Sequence, residues 1–441
     1  MQTTFTLAQL ADPQVAESEK ILRACVHCGF CQATCPTYVL LGDELDSPRG
    51  RIYLIKDMLE HERPATAEVV RHIDRCLSCL SCMTTCPSGV HYMHLVDHAR
   101  AHIEKTYRRP LADRWLRRLL ARTLPNPERF PRALSAARLT KPFAPILAWL
   151  GFKRLATMLR LAPARLPDAA AVGSLRVWPA QKRRLGRVGL FPICANRVLA
   201  PEIDRAAIRV LTRHGLEVVV PDEISCCGAL VHHLGREDDA LATVRANVDA
   251  WMRDIQEQGL DAILVTSSGC GTMIKDYGFL LRADPIYAEK GARVAALARD
   301  VSEYMSKLKL APTSKPRDMT IAYHSACSLQ HGQKIVREPK DLLSKLGFVV
   351  KDVPEGHLCC GSAGTYNILE SEIAKRLRDR KIGNIEKVRP DVIAAGNIGC
   401  ITQIAAGTAI PVIHPVELID WATGGPVPEA LQAKQGAAAS A

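Results

Sequence analysis

Two runs of cysteine near the start of the chain share one spacing. Each reads C-x2-C-x2-C-x3-C-P, and the members are Cys25, Cys28, Cys31 and Cys35 before Pro36, and Cys76, Cys79, Cys82 and Cys86 before Pro87. Three thiolates at two-residue gaps let one tight loop bind three corners of a cubane, and in two-cluster ferredoxins the fourth cysteine of a run ligates the other cluster. The spacing therefore predicts two [4Fe–4S] clusters, one on Cys25, Cys28, Cys31 and Cys86, the other on Cys76, Cys79, Cys82 and Cys35.

Zinc and disulfide bonds explain these runs less well. Zinc sites typically use two C-x2-C pairs rather than triplets followed by Cys-Pro. Disulfide frameworks belong to secreted chains, whereas this N-terminus carries acids at Asp12, Glu17 and Glu19 and has no apolar signal core. We therefore expect a cytoplasmic protein whose 16 cysteines serve metal ligation or redox chemistry.

The other eight cysteines form two sets of four. They are Cys194, Cys226, Cys227 and Cys270, and Cys327, Cys359, Cys360 and Cys400. Adjacent side chains of a strand point to opposite faces, so both thiols of a Cys-Cys pair reach one site only if the backbone turns. Gly228 and Gly361 follow the pairs and can supply the positive φ of such a turn. Both sets are candidate ligands of further iron–sulfur clusters, and the alternative is that these thiols only pack in the core.

Four histidines lie near these cysteines. His324 stands three residues before the first cysteine of the second set, and His357 stands two residues before its Cys-Cys pair. Either could be a ligand or a hydrogen-bond donor to one. The alternative is a strand-end histidine that hydrogen-bonds to the backbone, and His232 and His233 are expected to face solvent.

Helices and strands must position these residues. The 40 residues between Cys35 and Cys76 include the run RGRIYLIKDMLEHE, which predicts a helix with Ile52, Ile55 and Leu59 on one face. We therefore expect a helical domain over residues 1–106.

Residues 186–315 and 316–424 resemble one another and predict two α/β domains. Each begins with a strand-like run, RVGLFPIC or MTIAYHSAC, and in both the Cys-Cys-Gly tripeptide follows 32 residues after the cysteine that ends the run. Between these points lies a helical run, with Gly215 or Gly347 where a helix C-cap belongs. Alternating strands and helices predict a parallel sheet in each repeat, with the cysteines at strand ends. The predicted fold class is thus α plus α/β.

Residues 107–185 connect these parts and are strongly basic. Between Arg100 and Leu190 there are 21 Lys or Arg and 4 Asp or Glu, whereas the whole chain has a net charge of +12. Short amphipathic runs such as WLRRLLARTL and PFAPILAWLGF suit an anionic membrane surface or an acidic partner, with Trp115, Trp149 and Phe152 as interfacial anchors. The alternative is a solvated linker face. Nucleic acid is not expected as a partner, because no known nucleic-acid motif is present, and residues 425–441 predict a flexible tail.

Three resemblances extend this reading. The first domain, with its long insert, resembles the helical two-cluster ferredoxin domain of succinate dehydrogenase and heterodisulfide reductase subunits. The Cys-Cys-Gly repeats resemble the cysteine-rich CCG domain of heterodisulfide reductase, glycerol-3-phosphate dehydrogenase and lactate-utilisation proteins. That family ends each repeat in C-x-x-C, whereas Ser267 and Asn397 stand here where the first cysteine of each pair would be. A non-cubane cluster of five thiolates is therefore not expected.

The whole-chain order, together with DSPRGRIYLIK and GNIGCITQI, resembles the glycolate oxidase iron–sulfur subunit family. The resemblance implies FAD-containing partner subunits that oxidise glycolate to glyoxylate. It also implies that this chain passes electrons to a quinone-type acceptor, peripherally at the cytoplasmic face of the inner membrane. The chain shows no Rossmann or P-loop motif and no nucleophile–base pair, so it should not oxidise glycolate alone.

The sequence also allows alternatives to this function. They are a thiol–disulfide reductase subunit, a subunit of a lactate or glycerol-3-phosphate dehydrogenase complex, and a scaffold whose clusters only stabilise the fold. Arg49 and Arg51 lie beside the cluster region, and their charge could raise a cluster potential; the alternative is a surface helix cap.

Overall fold

The computed structural model describes residues 1–163, 176–310, 312 and 319–432, and every structural statement here concerns those residues. Residues 164–175 of the basic segment and residues 433–441 of the expected tail lie outside them.

The N-terminal part is helical. Its helices are α1 (Leu7–Leu10), α2 (Pro13–Ala24), α3 (Pro36–Leu41), α4 (Pro48–Glu60), α5 (Ala67–Asp74), α6 (Ser81–Thr85) and α7 (Tyr92–Thr106). Pro13, Pro36 and Pro48 each occupy the first helical turn, where a missing N–H costs nothing. The predicted insert helix is α4, and its Ile52, Ile55 and Leu59 are buried as expected.

The basic segment forms four short helices. They are α8 (Leu111–Thr123), α9 (Arg129–Thr140), α10 (Ala144–Trp149) and α11 (Lys153–Leu161). In α8, Leu116 and Leu120 are buried in a cluster that also contains Val231 and Ile368, one from each CCG repeat. Arg109 and the helix residues Arg117 and Arg154 pair with nearby carboxylates, chiefly those of Asp74 and Asp113. Part of this charge is therefore neutralised within the fold, and the segment packs on both repeats, so it is more than a solvated linker.

The first CCG repeat contains a five-stranded sheet. Its strands are β1 (Val177–Trp178), β2 (Gly186–Leu190), β3 (Leu216–Val219), β4 (Ala262–Val265) and β5 (Ala298–Asp300), in the order β1-β3-β2-β4-β5. All neighbouring pairs are parallel except β1 with β3, which is an antiparallel edge contributed by the basic segment. Its helices are α12 (Cys194–Leu199), α13 (Glu202–Arg213), α14 (Ala229–His233), α15 (Glu237–Glu257), α16 (Ser268–Lys275), α17 (Tyr277–Leu280), α18 (Ala288–Leu297) and α19 (Val301–Met305).

The second repeat has the same order of strands. Its sheet is wholly parallel, with β6 (Thr320–His324), β7 (Val349–Asp352), β8 (Val392–Ala395) and β9 (Val412–Ile413) in the order β7-β6-β8-β9. Its helices are α20 (Glu338–Lys345), α21 (Tyr366–Leu369), α22 (Ser371–Glu386), α23 (Ile398–Ala405) and α24 (Pro415–Ala422). The expected glycines after the helical runs, Gly215 and Gly347, adopt φ of +87° and +92°. The prediction of two parallel α/β repeats is thus confirmed.

The two repeats share one hydrophobic core. Residues of the first sheet, such as Val188 and Leu264, lie in the same buried cluster as Ile321 and Val392 of the second sheet. Helix α13 of one repeat packs on α24 of the other, and Asp420 of α24 accepts hydrogen bonds from two arginines of α13. The opposite faces of the two sheets lie in separate clusters, because successive side chains of a strand alternate in direction.

Candidate cluster-binding sites

The first predicted cluster set lines one cavity. Cys25 directly follows α2 and Cys86 directly follows α6, and both line the same cavity as Cys28 and Cys31 of the intervening loop. Gly29, with φ of +84°, lets this loop turn back on itself. The cavity wall is otherwise mostly apolar, as a cubane needs for exclusion of water. All four cysteines predicted for this cluster therefore line a single cavity, which Cys82 of the other predicted set lines as well.

The second predicted set lies deeper. Cys35, the residue before α3, and Cys76 and Cys82 are buried. Burial raises the pKa of Cys79 and Cys82 well above the usual value, and the nearby thiols of Cys35 and Cys76 add to the shift. The structure thus brings Cys35 from the first run to the three cysteines of the second. Because burial opposes thiolate formation, assembly of a cluster here must release protons.

A buried polar network supports this second set. The Arg51 guanidinium is 1% exposed; it donates to the Cys35 thiol (Nη1–Sγ 3.8 Å) and to the Thr37 hydroxyl (Nη2–Oγ1 3.0 Å). Its Nη2 also lies 3.4 Å from Asp46, whose carboxylate is held by His72 at 2.9 Å and Arg75 at 2.7 Å.

The alternative of a surface helix cap is wrong for Arg51, because Ser47 caps α4. Burial alone would lower the pKa of Arg51, but the neighbouring Cys76, Tyr92, Cys35 and Asp46 outweigh it and raise this pKa. Arg49 differs, because its side chain is 32% exposed and paired with Glu44.

The first CCG repeat gathers its four cysteines. Cys194 begins α12, four residues after the last residue of β2, and its sulfur lies 3.8 Å from that of Cys226. Gly228 has φ of +91°, so the backbone turns after the Cys-Cys pair as predicted. The thiol of Cys227 in turn contacts that of Cys270, in the first turn of α16.

The second CCG repeat gathers five donors. The thiols of Cys327, Cys359, Cys360 and Cys400 contact one another in that order. His324, the last residue of β6, joins them: its ring and the sulfurs of Cys360 and Cys400 lie within 4.8 Å of one another.

Within the described residues, neither ring nitrogen of His324 has a hydrogen-bond partner. The expectation of a strand-end histidine satisfied by backbone is therefore wrong here. Burial, followed by the charge of Lys381, lowers the pKa of His324 to about 3, so the imidazole is neutral.

The positions that lack the family's fifth cysteine have other roles. Asn397 is the N-cap of α23, where its side chain accepts a hydrogen bond from the Gly399 amide at 2.9 Å and donates to Ser268 at 3.0 Å. The Ser268 hydroxyl also lies 2.7 Å from that of Ser328, so these residues join the two repeats. Ser267 is buried at the start of α16.

The remaining histidines differ in how deeply they are buried. His233 is exposed as expected, but His232 is buried and lies 3.5 Å from the carboxylate of Asp97 in α7. The expectation for His232 was wrong because α7 covers α14, a contact between distant parts of the chain. His357 is partly buried, and its backbone oxygen lies 3.2 Å from a ring nitrogen of His331.

The second cluster set adjoins the second repeat. Leu77 and Cys79 pack in one cluster with Cys327 and Cys359. The Thr84 hydroxyl lies 2.7 Å from the His331 ring, which adds a polar contact between α6 and this repeat. Cysteines of the second cluster set and of the second repeat thus pack in the same apolar cluster.

An exposed apolar surface covers the basic helices α9 to α11. We name it the hairpin patch, and its members are Leu139, Phe143, Ile146, Trp149, Leu150 and Phe152, which are 80%, 57%, 54%, 85%, 55% and 59% exposed. Trp115, in α8, is exposed as well. No helix among the described residues is both long and apolar enough to cross a bilayer.

Sequence reasoning missed some residues that support these sites. Lys381 is 2% exposed and stands in the run Ile373, Leu377, Lys381, Ile385, whose four-residue steps mark the buried face of α22. A lysine among apolar residues on one helix face could have identified this position from the sequence. Tyr277 donates a hydrogen bond from its hydroxyl to the backbone oxygen of Cys227 at 2.9 Å, and no sequence pattern pointed to this role.

Comparisons with known proteins agree with this geometry. Residues 21–90 match the 4Fe-4S dicluster domain, and residues 188–275 and 321–405 match the cysteine-rich domain CCG. The glycolate oxidase iron-sulfur subunit of Escherichia coli K12 is 42% identical over 96% of this chain and 99% of its own length.

More distant relatives follow. A probable glycolate oxidase iron-sulfur subunit of Bacillus subtilis is 30% identical over 87% of this chain and 88% of its own length. Lactate utilization protein A of Halalkalibacterium halodurans is 25% identical over 53% of this chain and 96% of its own length. The crystal structure of a hypothetical protein from Helicobacter pylori shares the fold, with a TM-score of 0.54 at 10% identity over 96% of this chain and 74% of that one. With both cysteine-bearing domain types and near-complete coverage in place, the chain belongs to the glycolate oxidase iron–sulfur subunit family.

Proposed function

We propose that this iron–sulfur electron-transfer subunit receives electrons from a FAD-containing partner that oxidises glycolate to glyoxylate, and delivers them to a quinone-type acceptor at a membrane. When bound, [4Fe–4S] clusters supply one-electron transfer. The observation that carries the proposal is that the two thiol sets lie at different depths. Cys28 of the first set is exposed, whereas three of the four thiols of the second set are buried.

The first set offers a place for the redox partner. Val26, Phe30 and Tyr53 surround it and are 66%, 62% and 61% exposed. Large apolar side chains at a surface commonly mark a contact with another protein. The loop of Cys25 to Cys31 would then bring an electron donor close to the first cluster while its apolar wall excludes water.

The first experiment uses the complex reconstituted with its FAD-containing subunits. Glycolate should reduce the clusters of the unaltered complex, as seen by EPR under anaerobic conditions. The double variant Val26→Asp and Phe30→Asp should slow this reduction at least about tenfold, because a desolvated charge opposes docking. Dithionite should still reduce both clusters fully. Leu7→Asp, which alters a residue that is 89% exposed elsewhere, is the matched control. Equal rates in the double variant and the control would contradict this docking site.

The hairpin patch supports the membrane part of the proposal. Its aromatic residues are of the type found at membrane interfaces, and the exposed Arg132 and Arg138 of α9 would favour anionic lipid. Co-sedimentation with anionic phospholipid vesicles should show binding that Phe143→Ser with Trp149→Ser weakens at least about fivefold. Leu7→Ser serves as control, and vesicle binding unaffected by the double variant would refute peripheral attachment through this patch. We further propose that the protein is attached peripherally at the cytoplasmic face of the inner membrane, as expected from the family resemblance.

The thiol–disulfide reductase alternative is less well supported. In the second repeat the fifth-cysteine position is Asn397, whose amide is engaged in capping α23 and in bonding Ser268. Lactate and glycerol-3-phosphate remain candidate substrates of the partner. Comparing them with glycolate as reductants of the complex tests this choice.

A further inference from the structure

The second CCG repeat contains a compact group of mixed donors. His324, Cys360 and Cys400 are 1%, 0% and 7% exposed, and their ligand atoms all lie within 4.8 Å of one another. A buried imidazole normally hydrogen-bonds through at least one nitrogen. Across the ranges that the structure describes, the His324 ring bonds through neither. Two thiols beside an unpartnered imidazole form the kind of donor set that binds a borderline-soft divalent metal ion.

The topology of the repeat explains how the three donors meet. His324 ends β6, and in the parallel pairing with β8 it lies opposite Ala395, five residues before Cys400. Cys400 therefore enters the site from the first turn of α23. Cys360 comes from the loop that turns at Gly361, with φ of +88°. All three approach the carboxyl edge of one sheet, where α/β folds place their ligands.

The first repeat lacks this nitrogen donor. The residue three positions before its first cysteine is Phe191, which is fully buried in an apolar cluster. The two repeats share strand order and cysteine spacing, so the difference at this position is specific to the second one. Phe191 also shows that a phenyl ring can occupy the position in this fold.

The spacing of the donors favours one ion over a cubane. A tetrahedral Zn²⁺ with bonds of about 2.3 Å to sulfur and about 2.0 Å to nitrogen places its ligand atoms about 3.5–3.8 Å apart. The ferredoxin cysteines are not among the groups of three that reach the 4.8 Å spacing within the described residues. The other such group, Asp43, Asp46 and His72, is explained by ion pairing, because Asp46 is already held by His72 and Arg75.

We propose that the second CCG repeat binds a single Zn²⁺ through His324, Cys360 and Cys400. Cys359, whose thiol contacts that of Cys360 but lies outside the group of three close donors, would complete the fourth position by moving toward the ion. Each coordinating thiol loses its proton to solvent when the ion binds. The buried ammonium of Lys381, held at 2.9 Å by the backbone oxygen of Glu355, offsets the negative charge of the thiolates.

This site differs in role from the ferredoxin clusters. Zn²⁺ has no redox chemistry, so the site would not accept an electron. It would instead fix the strand ends of the second repeat against the loop that carries Cys79, which packs on Cys327 and Cys359. The inference goes beyond the proposed electron transfer and does not depend on which substrate the partner oxidises.

The test is metal analysis of the anaerobically purified full chain, combined with zinc X-ray absorption. The unaltered protein should contain about eight iron atoms and zinc, with sulfur scatterers at about 2.3 Å and a nitrogen scatterer at about 2.0 Å. His324→Phe, which copies the first repeat, should lower zinc by one equivalent per chain. It should leave iron content and the EPR of the reduced clusters unchanged. Cys227→Ser in the first repeat is the matched control and should leave the nitrogen scatterer in place.

Three results would overturn the proposal. One is a protein without zinc, and another is a His324→Phe variant that keeps all of its zinc. The third is about twelve iron atoms per chain with loss of iron in His324→Phe, which would mean a cluster at this site. If the variant fails to fold, the absorption spectrum of the unaltered protein still decides, because a zinc shell of sulfur alone would exclude His324 as a ligand.

Discussion

Replacing Arg51 by glutamine should lower the potential of the cluster that Cys35 is predicted to ligate. The Arg51 guanidinium is buried, and its Nη1 lies 3.8 Å from the Cys35 sulfur. Added negative charge on a reduced cluster is stabilised by this cation, so its removal makes reduction harder. With the charge about 6 Å from the cluster centre and an effective dielectric constant of about 20, the interaction is about 3 kcal/mol. At 59 mV for each tenfold change in a one-electron equilibrium, this corresponds to a shift of about −130 mV.

The assay is a potentiometric titration of the anaerobic protein followed by EPR. Arg51→Lys is the matched control, because it keeps the charge and should shift the potential by much less. Arg49→Gln is a second control, because Arg49 is 32% exposed and paired with Glu44, so that solvent screens its charge. The reasoning is refuted if Arg51→Gln retains both clusters and neither potential moves by more than about 20 mV.

Three further changes have defined outcomes. Cys79→Ser should remove about four iron atoms per chain and leave the EPR signal of the other cluster; full iron content would exclude Cys79 as a ligand. Gly50→Ala should lower the melting temperature by several degrees, because its Cβ would lie 2.1 Å from the backbone oxygen of Glu44. The control is Gly383→Ala in α22, where the added Cβ has no neighbouring atom within 4 Å outside its own helix, and this variant should be neutral or slightly stabilising. Equal changes of melting temperature in the two variants would contradict the steric argument. Asp97→Asn should destabilise the contact between α7 and α14 more at pH 6 than at pH 9. Burial opposes the charge of His232, but Asp97 outweighs burial and raises the pKa of His232. The stabilisation from the ion pair of His232 with Asp97 is therefore present below pH 6.5 and is lost as the pH rises through the raised pKa. Equal losses of melting temperature at both pH values would argue against this ion pair.

Local spacing was enough to predict the two repeats and the insert helix, whereas the cysteine ligand sets stay a prediction. The two C-x2-C-x2-C-x3-C-P runs specify ligands within a few residues of one another, and the insert helix α4 follows from Ile52, Ile55 and Leu59. The 32-residue step in each repeat likewise predicts the same β-α-β order twice. Elements of this kind depend on local sequence, which explains why they could be predicted.

Other features depended on contacts between distant residues. His232 is a surface residue of its own short helix and becomes buried only because Asp97 and α7 lie over it. The sequence of the basic helix α8 predicts an amphipathic helix with no packing partner. Its apolar face nevertheless packs on Val231 and Ile368, which are more than one hundred residues away along the chain. The surroundings of His324 likewise depend on how β6 and β8 pair. Hydrophobic periodicity shows that a face is apolar but not what covers it.

The core that joins the two sheets has a consequence for how the chain can be divided. In linear repeat arrays each unit contacts its neighbours across a modest interface, and units can be lost or gained. Here Val188 and Leu264 lie in the same buried cluster as Ile321 and Val392, so each half completes the interior of the other. The two repeats therefore constitute one cooperative unit, and a cut between them would expose an apolar face on both fragments. The two halves are similar in topology, but neither is an interchangeable module.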